Sequence, residues 1–296
     1  MTNTSAVAVG VDRAWQEHGA LAWAYDEARR GRSELRIVHV VDDTFGELPE
    51  LGSAVREQAA DLIADVRKHL ETDAPATPLT SDTVGGRPGP ALVRAAVADR
   101  MLVVGRRGSG SFGRLLLGST AESAVNHADI PVVVVPEVWD TARHRTAPVV
   151  AGVDPAAAGE AAIEFACTVA TERSVPVVLV HVWDVPSLYS WDNAMLSDVE
   201  QTWERRAREE LDRTVQQWQE KYPDADVRGE LRQGHPAEGL LDASIGREAQ
   251  LVVVGGRRHN RLTGLVLGSV ARAVLHHADC PVAVVHDVAR GNGTAS

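Results

Sequence analysis

The chain has 296 residues, 44% hydrophobic and 24% charged, which is typical of a globular protein long enough for two domains. Its 30 basic and 41 acidic residues leave a formal net charge of -11, which argues against nucleic acid or an anionic membrane as a bulk partner. The two cysteines form no metal or redox motif. No apolar run approaches the ~20 residues that span a bilayer. The polar N-terminus indicates no signal peptide, so we expect a cytoplasmic protein.

Short runs of Val, Ile and Leu predict the strands of the first half. In chain order they are Val7–Val11, Leu35–Val41, a weaker candidate near Thr77–Val84, Met101–Val104 and Val132–Val135. Runs of this kind are typical of strands that are covered by helices on both faces, and such strands form parallel sheets. A helix from about Ser53 carries an apolar stripe at helical spacing between the second and third runs.

The second half of the sequence repeats the first. The recurring segments are Val7–Asp12 with Val149–Asp154, Ile37–Val40 with Leu179–Val182, Leu102–Gly105 with Val252–Gly255, and Leu117–Ser119 with Leu267–Ser269. We therefore predict an α/β fold of two tandem doubly wound, Rossmann-like domains, each a five-stranded parallel sheet flanked by helices. The predicted domains cover residues 1–138 and 147–289.

The features that both halves share fall at one edge of each predicted sheet. Ligands of open parallel sheets bind outside the carboxyl ends of the strands. Asp12 and Asp154 end the first strands, while Gly105 and Gly255 end the fourth strands. The loops that follow reach a predicted helix start, where unpaired N–H groups favour an anion, at Gly118-Ser119 and Gly268-Ser269. Cations are available from the loop arginines Arg106, Arg107, Arg114, Arg257, Arg258 and Arg261.

Structural roles and other chemistries compete with this interpretation. Ser119 and Glu122 have the spacing of a capping box, so Ser119 could simply cap its helix. The segment Gly108–Gly113 fits G-x-G-x-x-G and Glu137 follows the next strand, which imitates a dinucleotide fingerprint. Two residues separate that segment from Gly105 and the second half keeps none of its glycines, which argues against a dehydrogenase. No P-loop, nucleophile motif or metal motif occurs, so we predict no catalytic residue and no protein-built metal site.

The first loop reads Gly105-Arg-Arg-Gly108, nine further residues, then Gly118-Ser119. This resembles the ATP-binding signature of the universal stress protein family, and the ending Gly-Val-Asp12 and the segment Gly86-Arg-Pro88 also resemble that family. The resemblance implies that Asp12 and the backbone near Val40 hold the adenine and ribose of ATP. It also implies that the loop holds the phosphates, with Mg²⁺, through Gly105, Gly108, Gly118 and Ser119, beside Arg107. The equivalent residues of the second half are Asp154, Val182, Gly255, Gly268 and Ser269.

The resemblance further implies that the protein binds ATP, has a regulatory or stress-response role and is not an enzyme. Its final strands would join domains or subunits, giving a homodimer, and a protein partner would respond to the nucleotide. Two alternatives stay open: a partner-binding module with a vestigial nucleotide site, and a slow ATPase. Because Arg258 stands where the first half has Gly108, we expect the first half to bind ATP more tightly than the second.

Overall fold

A computed structural model describes residues 6–17, 19–41, 49–73, 77–108, 117–155, 159–184, 193–256 and 267–287. Ten strands form one continuous sheet. They are β1 (Val7–Val11), β2 (Leu35–Val41), β3 (Leu79–Gly85), β4 (Met101–Gly105), β5 (Val132–Val135), β6 (Val149–Val153), β7 (Val177–Trp183), β8 (Val227–Gln233), β9 (Leu251–Gly256) and β10 (Val282–His286). The strands predicted from apolar runs are confirmed, and the weak third candidate is β3.

Helices cover both faces of the sheet. They are α1 (Ala20–Arg30), α2 (Pro49–Asp73), α3 (Pro88–Ala95), α4 (Ser119–His127), α5 (Glu160–Arg173), α6 (Asn193–Lys221), α7 (Pro236–Gly246) and α8 (Ser269–His277). One face packs against α1, α2, α5 and α6, and the other packs against α3, α4, α7 and α8. The strands are therefore buried from both sides, which is why their sequences are continuously apolar. Within the described part of the chain, no helix is long and apolar enough to cross a bilayer.

The strand order runs β3-β2-β1-β4-β5-β10-β9-β6-β7-β8. Each half contributes five parallel strands, as predicted, and β5 and β10 pair antiparallel at the centre. The final strands thus join the two halves within one chain. Both edges of β5 and of β10 are hydrogen-bonded inside this sheet, so a homodimer cannot form by further strand pairing there and would need another surface.

The two halves share their hydrophobic cores. On one face, Val9 and Val103 of the first half belong to the same buried cluster as Ala151 and Val253 of the second. On the other face, Ala8 and Val150 likewise belong to one buried cluster. Each apolar layer therefore runs across the junction between the halves, and the burial that stabilises one half also involves the other.

A buried ion cluster crosses the same junction. Glu27 of α1 is fully buried and accepts hydrogen bonds from Arg173 of α5, at 3.0 Å from Nε and 2.6 Å from Nη2. Arg100, just before β4, also reaches Glu27 at 3.1 Å and pairs with Glu172. Arg173 donates a further hydrogen bond to the side chain of Gln250. The charges of the cluster balance, as a buried cluster requires.

The cluster breaks the internal symmetry of the chain. By strand register, Gly31 is equivalent to Arg173 and Arg100 to Gln250. A Cβ on Gly31 would require the Arg100 guanidinium to shift, and the first half has no side chain where the second half has Arg173. The two repeats are therefore complementary at the junction and not interchangeable there.

We expect Glu27→Ala to destabilise the chain by about 3–5 kcal/mol, because it leaves the buried Arg173 without a counter-charge. The measurement is the free energy of unfolding in chemical denaturant. Glu57→Ala, at an exposed position on α2, is the matched control and should change that free energy by less than about 0.5 kcal/mol. Equal stabilities of the Glu27→Ala variant and the unsubstituted protein would show that the cluster contributes nothing.

The two cysteines are free and buried. Burial raises the pKa of both thiols, Cys167 and Cys280, to about 12 from an ordinary value of 9.0. The reactive species is the thiolate, so the folded protein holds almost none at mildly alkaline pH.

We therefore expect neither cysteine to react with a disulfide reagent such as dithionitrobenzoate until denaturant is added. The free energy of unfolding should also fall as the pH rises from about 9 towards 12, because only the unfolded thiols ionise in that range. Rapid, stoichiometric labelling of the folded protein would contradict the burial of both groups.

Candidate functional site

A cavity of about 1000 Å³ opens at the carboxyl ends of β1, β2 and β4. Its walls come from these strand ends, from one face of α2 and from the start of α4. Its size is at the upper end of the range for small-molecule sites in proteins. All seven first-half residues that the family resemblance assigns to the site line it: Asp12, Val40, Gly105, Arg107, Gly108, Gly118 and Ser119.

The start of α4 forms one side of this cavity. Gly118 is the N-cap and Ser119 is the first helical residue, and no side chain caps the helix. The alternative that Ser119 serves as the cap is therefore wrong. The N–H of Gly118 donates to the carbonyl of Arg106 at 2.8 Å. The N–H groups of the first turn of a helix have no backbone partner within that helix. Ser119, Thr120 and Ala121 bring this end of the helix to the cavity wall.

Gly108 lies close to Asp12. A Cβ built on Gly108 would lie 2.8 Å from Oδ2 of Asp12, so a side chain at this position would require the Asp12 carboxylate to shift. The residues with positive φ in the described ranges do not include Gly108. The feature that favours a glycine at this position is therefore its close approach to Asp12 and not a positive φ.

A positive φ does explain the glycine of the segment Gly86-Arg-Pro88. Gly86 and its equivalent Gly234 have φ of 124° and 126°, in the region that favours glycine. Each turns the chain from the third strand of its half into a helix with proline in its first turn, α3 or α7. Pro88, at the start of α3, lines the cavity.

The loop arginines Arg106 and Arg107 make different contacts. Arg107 lines the cavity, and its Nη1 lies 3.4 Å from Oε1 of Glu137. Arg106 is directed instead towards the second half, where its guanidinium donates to the carbonyl of Ala278. Burial lowers the pKa of Arg106 at this junction. The interpretation of Arg106 as a site cation is therefore not supported, and Arg114 lies outside the described residues.

The side of the cavity formed by α2 and the end of β2 includes several apolar side chains. Trp15, Leu21, Val55 and Leu62 line the cavity together with the backbone of the β2 end, near Val40. Two hydrogen bonds order the strand ends. The Nδ1 of His39 donates to the carbonyl of Val11 at 2.9 Å, and Oδ1 of Asp12 accepts the N–H of Ala14 at 3.0 Å.

The second half repeats part of this arrangement. Gly268 is the N-cap of α8 and Ser269 its first residue, again without a side-chain cap. Asp154 directly follows β6 and is exposed, Gly255 lies within β9, and the side chain of Val182 packs against α7, where a Cβ on Gly239 would be 2.8 Å from it. Arg258, on which the expected difference between the halves depends, lies outside the described residues.

Sequence reasoning missed several lining residues. His39, Trp15 and the cavity face of α2 were not assigned to the site, although His39 ends a strand at the predicted edge. Glu137 was noted only as part of a competing fingerprint, yet it lines the cavity beside Arg107. The described residues contain no group of three or more His, Cys, Asp or Glu side chains that could hold a metal ion.

Comparison with known proteins relates most of the chain to one family. A sequence model of the universal stress protein family matches residues 4–136 and again residues 146–286. A universal stress protein of Mycolicibacterium smegmatis is 32% identical over 295 residues, which cover 94% of this chain and 96% of the relative. One of Mycobacterium tuberculosis is 32% identical over 304 residues, covering 94% of each chain.

A solved structure has the same fold. The crystal structure of a universal stress protein from Archaeoglobus fulgidus has a TM-score of 0.68 and 16% sequence identity to this chain, and the match covers 96% of this chain and 98% of that one. The double match of the family and the identity to full-length relatives are decisive. The chain belongs to the universal stress protein family.

Proposed function

We propose that the first half of the chain binds ATP in the cavity at the ends of β1, β2 and β4, and that the protein acts as a nucleotide-dependent regulator in a stress response. The observation that carries the proposal is the meeting of three groups at one cavity: the uncapped start of α4, the Arg107 guanidinium and the Asp12 carboxylate. Membership of the universal stress protein family supports ATP as the ligand.

The phosphates would lie at the start of α4. The unpaired N–H groups and the partial positive charge of a helix start stabilise an anion there. Gly108 and Gly118 add backbone without side chains, so a phosphate can approach closely. Arg107 supplies the full positive charge on this side of the cavity.

The nucleoside would lie across the cavity, against β2 and α2. Leu21 and Val55 offer apolar surface to a base, and the backbone near Val40 offers hydrogen bonds to its edge. Asp12 stands between this region and the phosphate loop, since Gly108 lies against its carboxylate. A carboxylate in that position can accept hydrogen bonds from ribose hydroxyl groups.

The residues around the cavity fit Mg²⁺ only when the ion binds together with the nucleotide phosphates. Mg²⁺ in nucleotide sites keeps several waters and binds one or two carboxylates together with phosphate oxygens. Asp12 is the carboxylate nearest to Gly108 of the phosphate loop, and the described residues form no metal cluster of their own. The ion would neutralise phosphate charge, while the chain orients the nucleotide.

A regulatory role accords with the side chains around the cavity. The described lining contains no lysine, and phosphate transfer by P-loop enzymes uses one. We therefore expect ATP turnover well below the ~10 s⁻¹ of a median enzyme. We also propose that the second half binds ATP more weakly, because Arg258 replaces Gly108.

Asp12→Ala should weaken ATP binding by roughly five- to a hundred-fold, equivalent to the ~1–3 kcal/mol of a lost hydrogen bond. Isothermal titration calorimetry measures the change. Asp12→Asn is the matched control, because its side-chain oxygen can still accept the N–H of Ala14 and keep the local turn. Unchanged ATP affinity in both variants would remove Asp12 from the binding site.

Ser119→Asp should lower ATP affinity at least tenfold without lowering the melting temperature. An acidic residue in the first turn of a helix stabilises the helix, but here it repels phosphates in the cavity. Ser269→Asp makes the same change at the start of α8 and serves as the matched control. If Ser269→Asp abolishes most of the binding and Ser119→Asp leaves it intact, the second half is the main site.

A further inference from the structure

The ion pair between Arg107 and Glu137 lies in the wall of the cavity. The Nη1 and Oε1 atoms are 3.4 Å apart, and the two side chains are 37% and 38% exposed. Glu137 is the second residue after β5, at the beginning of the segment that leads into the second half. The main cation of the proposed phosphate region is thus next to a carboxylate of the same chain.

The backbone holds both partners in place. Arg106 donates its N–H to the carbonyl of Val135 at 2.7 Å, and its own carbonyl accepts the N–H of Gly118. These two bonds fix the chain beside Arg107 between the end of β5 and the start of α4. The carbonyl of Glu137 accepts the N–H of Gly19 at 3.1 Å. The side chains can therefore exchange partners without a large movement of the backbone.

The pair is weak compared with the interaction that a phosphate offers. Partly exposed ion pairs contribute little net stability, because water and salt screen them. Arginine binds phosphate through strong, charge-assisted and often bidentate hydrogen bonds. A ligand phosphate at the start of α4 would therefore take Arg107 from Glu137. The displaced carboxylate would remain in the cavity wall, close to the negative charge that replaced it.

The described lining of the cavity is more acidic than basic. The described lining carries four carboxylates and two arginines, and its carboxylates are Asp12, Asp61, Asp65 and Glu137. Arg13, the second arginine, already donates to Gln58 at 2.7 Å. The cavity therefore has an excess of negative charge in its described part, and Glu137 is the carboxylate that contacts the phosphate-region cation.

We propose that Glu137 is the charge-selecting residue of the site: it competes with the ligand for Arg107 and opposes nucleotides in proportion to their negative charge. This inference rests on the proposed nucleotide site and specifies which nucleotides that site prefers. Glu137 lowers the affinity for ATP more than for AMP, and it leaves the affinity for adenosine unchanged. A divalent cation on the phosphates reduces the opposition, because it lowers the charge that faces Glu137.

The test compares Glu137→Gln with the unsubstituted protein against adenosine, AMP, ADP and ATP by isothermal titration calorimetry. We expect no change for adenosine, a gain of a few-fold for AMP and a gain of about tenfold or more for ATP without Mg²⁺. The gain should shrink at high salt, because exposed charges are screened beyond ~10 Å at 0.1 M. Glu57→Gln removes one exposed charge from α2 outside the cavity lining, and it should leave all four affinities unchanged.

The outcomes separate this inference from the site itself. If the unsubstituted protein binds ATP and Glu137→Gln binds it equally well, the site stands and the charge-selecting role is wrong. A gain of equal size for adenosine and ATP, or a loss of ATP affinity, would also overturn that role. If no form of the protein binds any of the four ligands, the proposed function fails together with the inference. Binding of ATP by Glu137→Gln alone would support the charge-selecting role and contradict ATP binding by the unsubstituted protein.

Discussion

The antiparallel pairing of β5 with β10 is the constraint on which the rest of the structure depends. Val132–Val134 align with Val282–Val284, and this short ladder converts two five-stranded sheets into one. It fixes the face on which each helix packs, so that α1 and α5 share one apolar layer while α4 and α8 share the other. The repeated sequence thereby becomes one cooperative structure, although each repeat has all the strands of a complete domain.

The buried ion cluster makes that junction specific for two different repeats. The apolar layers could join two identical repeats, because the residues they contribute are alike in both halves. Glu27 and Arg173 could not do so, because exchanging the first repeat for a copy of the second would leave the buried Arg173 without Glu27. The ion cluster therefore favours the pairing of unlike halves, and the apolar burial supplies the larger share of the stability.

Strands and strand ends could be predicted from residues close together in the sequence. Side-chain contacts between residues distant in the sequence could not. Continuous apolar runs located the strands, and Asp12 and Gly105 could be assigned to one sheet edge because both follow parallel strands. The different directions of Arg106 and Arg107 could not be predicted, because the carbonyl that receives Arg106 belongs to Ala278. Likewise Gly108 was recognised from its motif, but its close approach to the Asp12 carboxylate is visible only in three dimensions.

The antiparallel central pair also determines where ligands can enter. The strands of the two halves run in opposite directions within one sheet. The carboxyl ends of the first half's strands therefore lie on the side of the sheet where the second half has its amino ends. The cavity at β1, β2 and β4 therefore opens away from the corresponding strand ends β6, β7 and β9. A compact molecule that covers this opening therefore lies away from the strand ends of the second half.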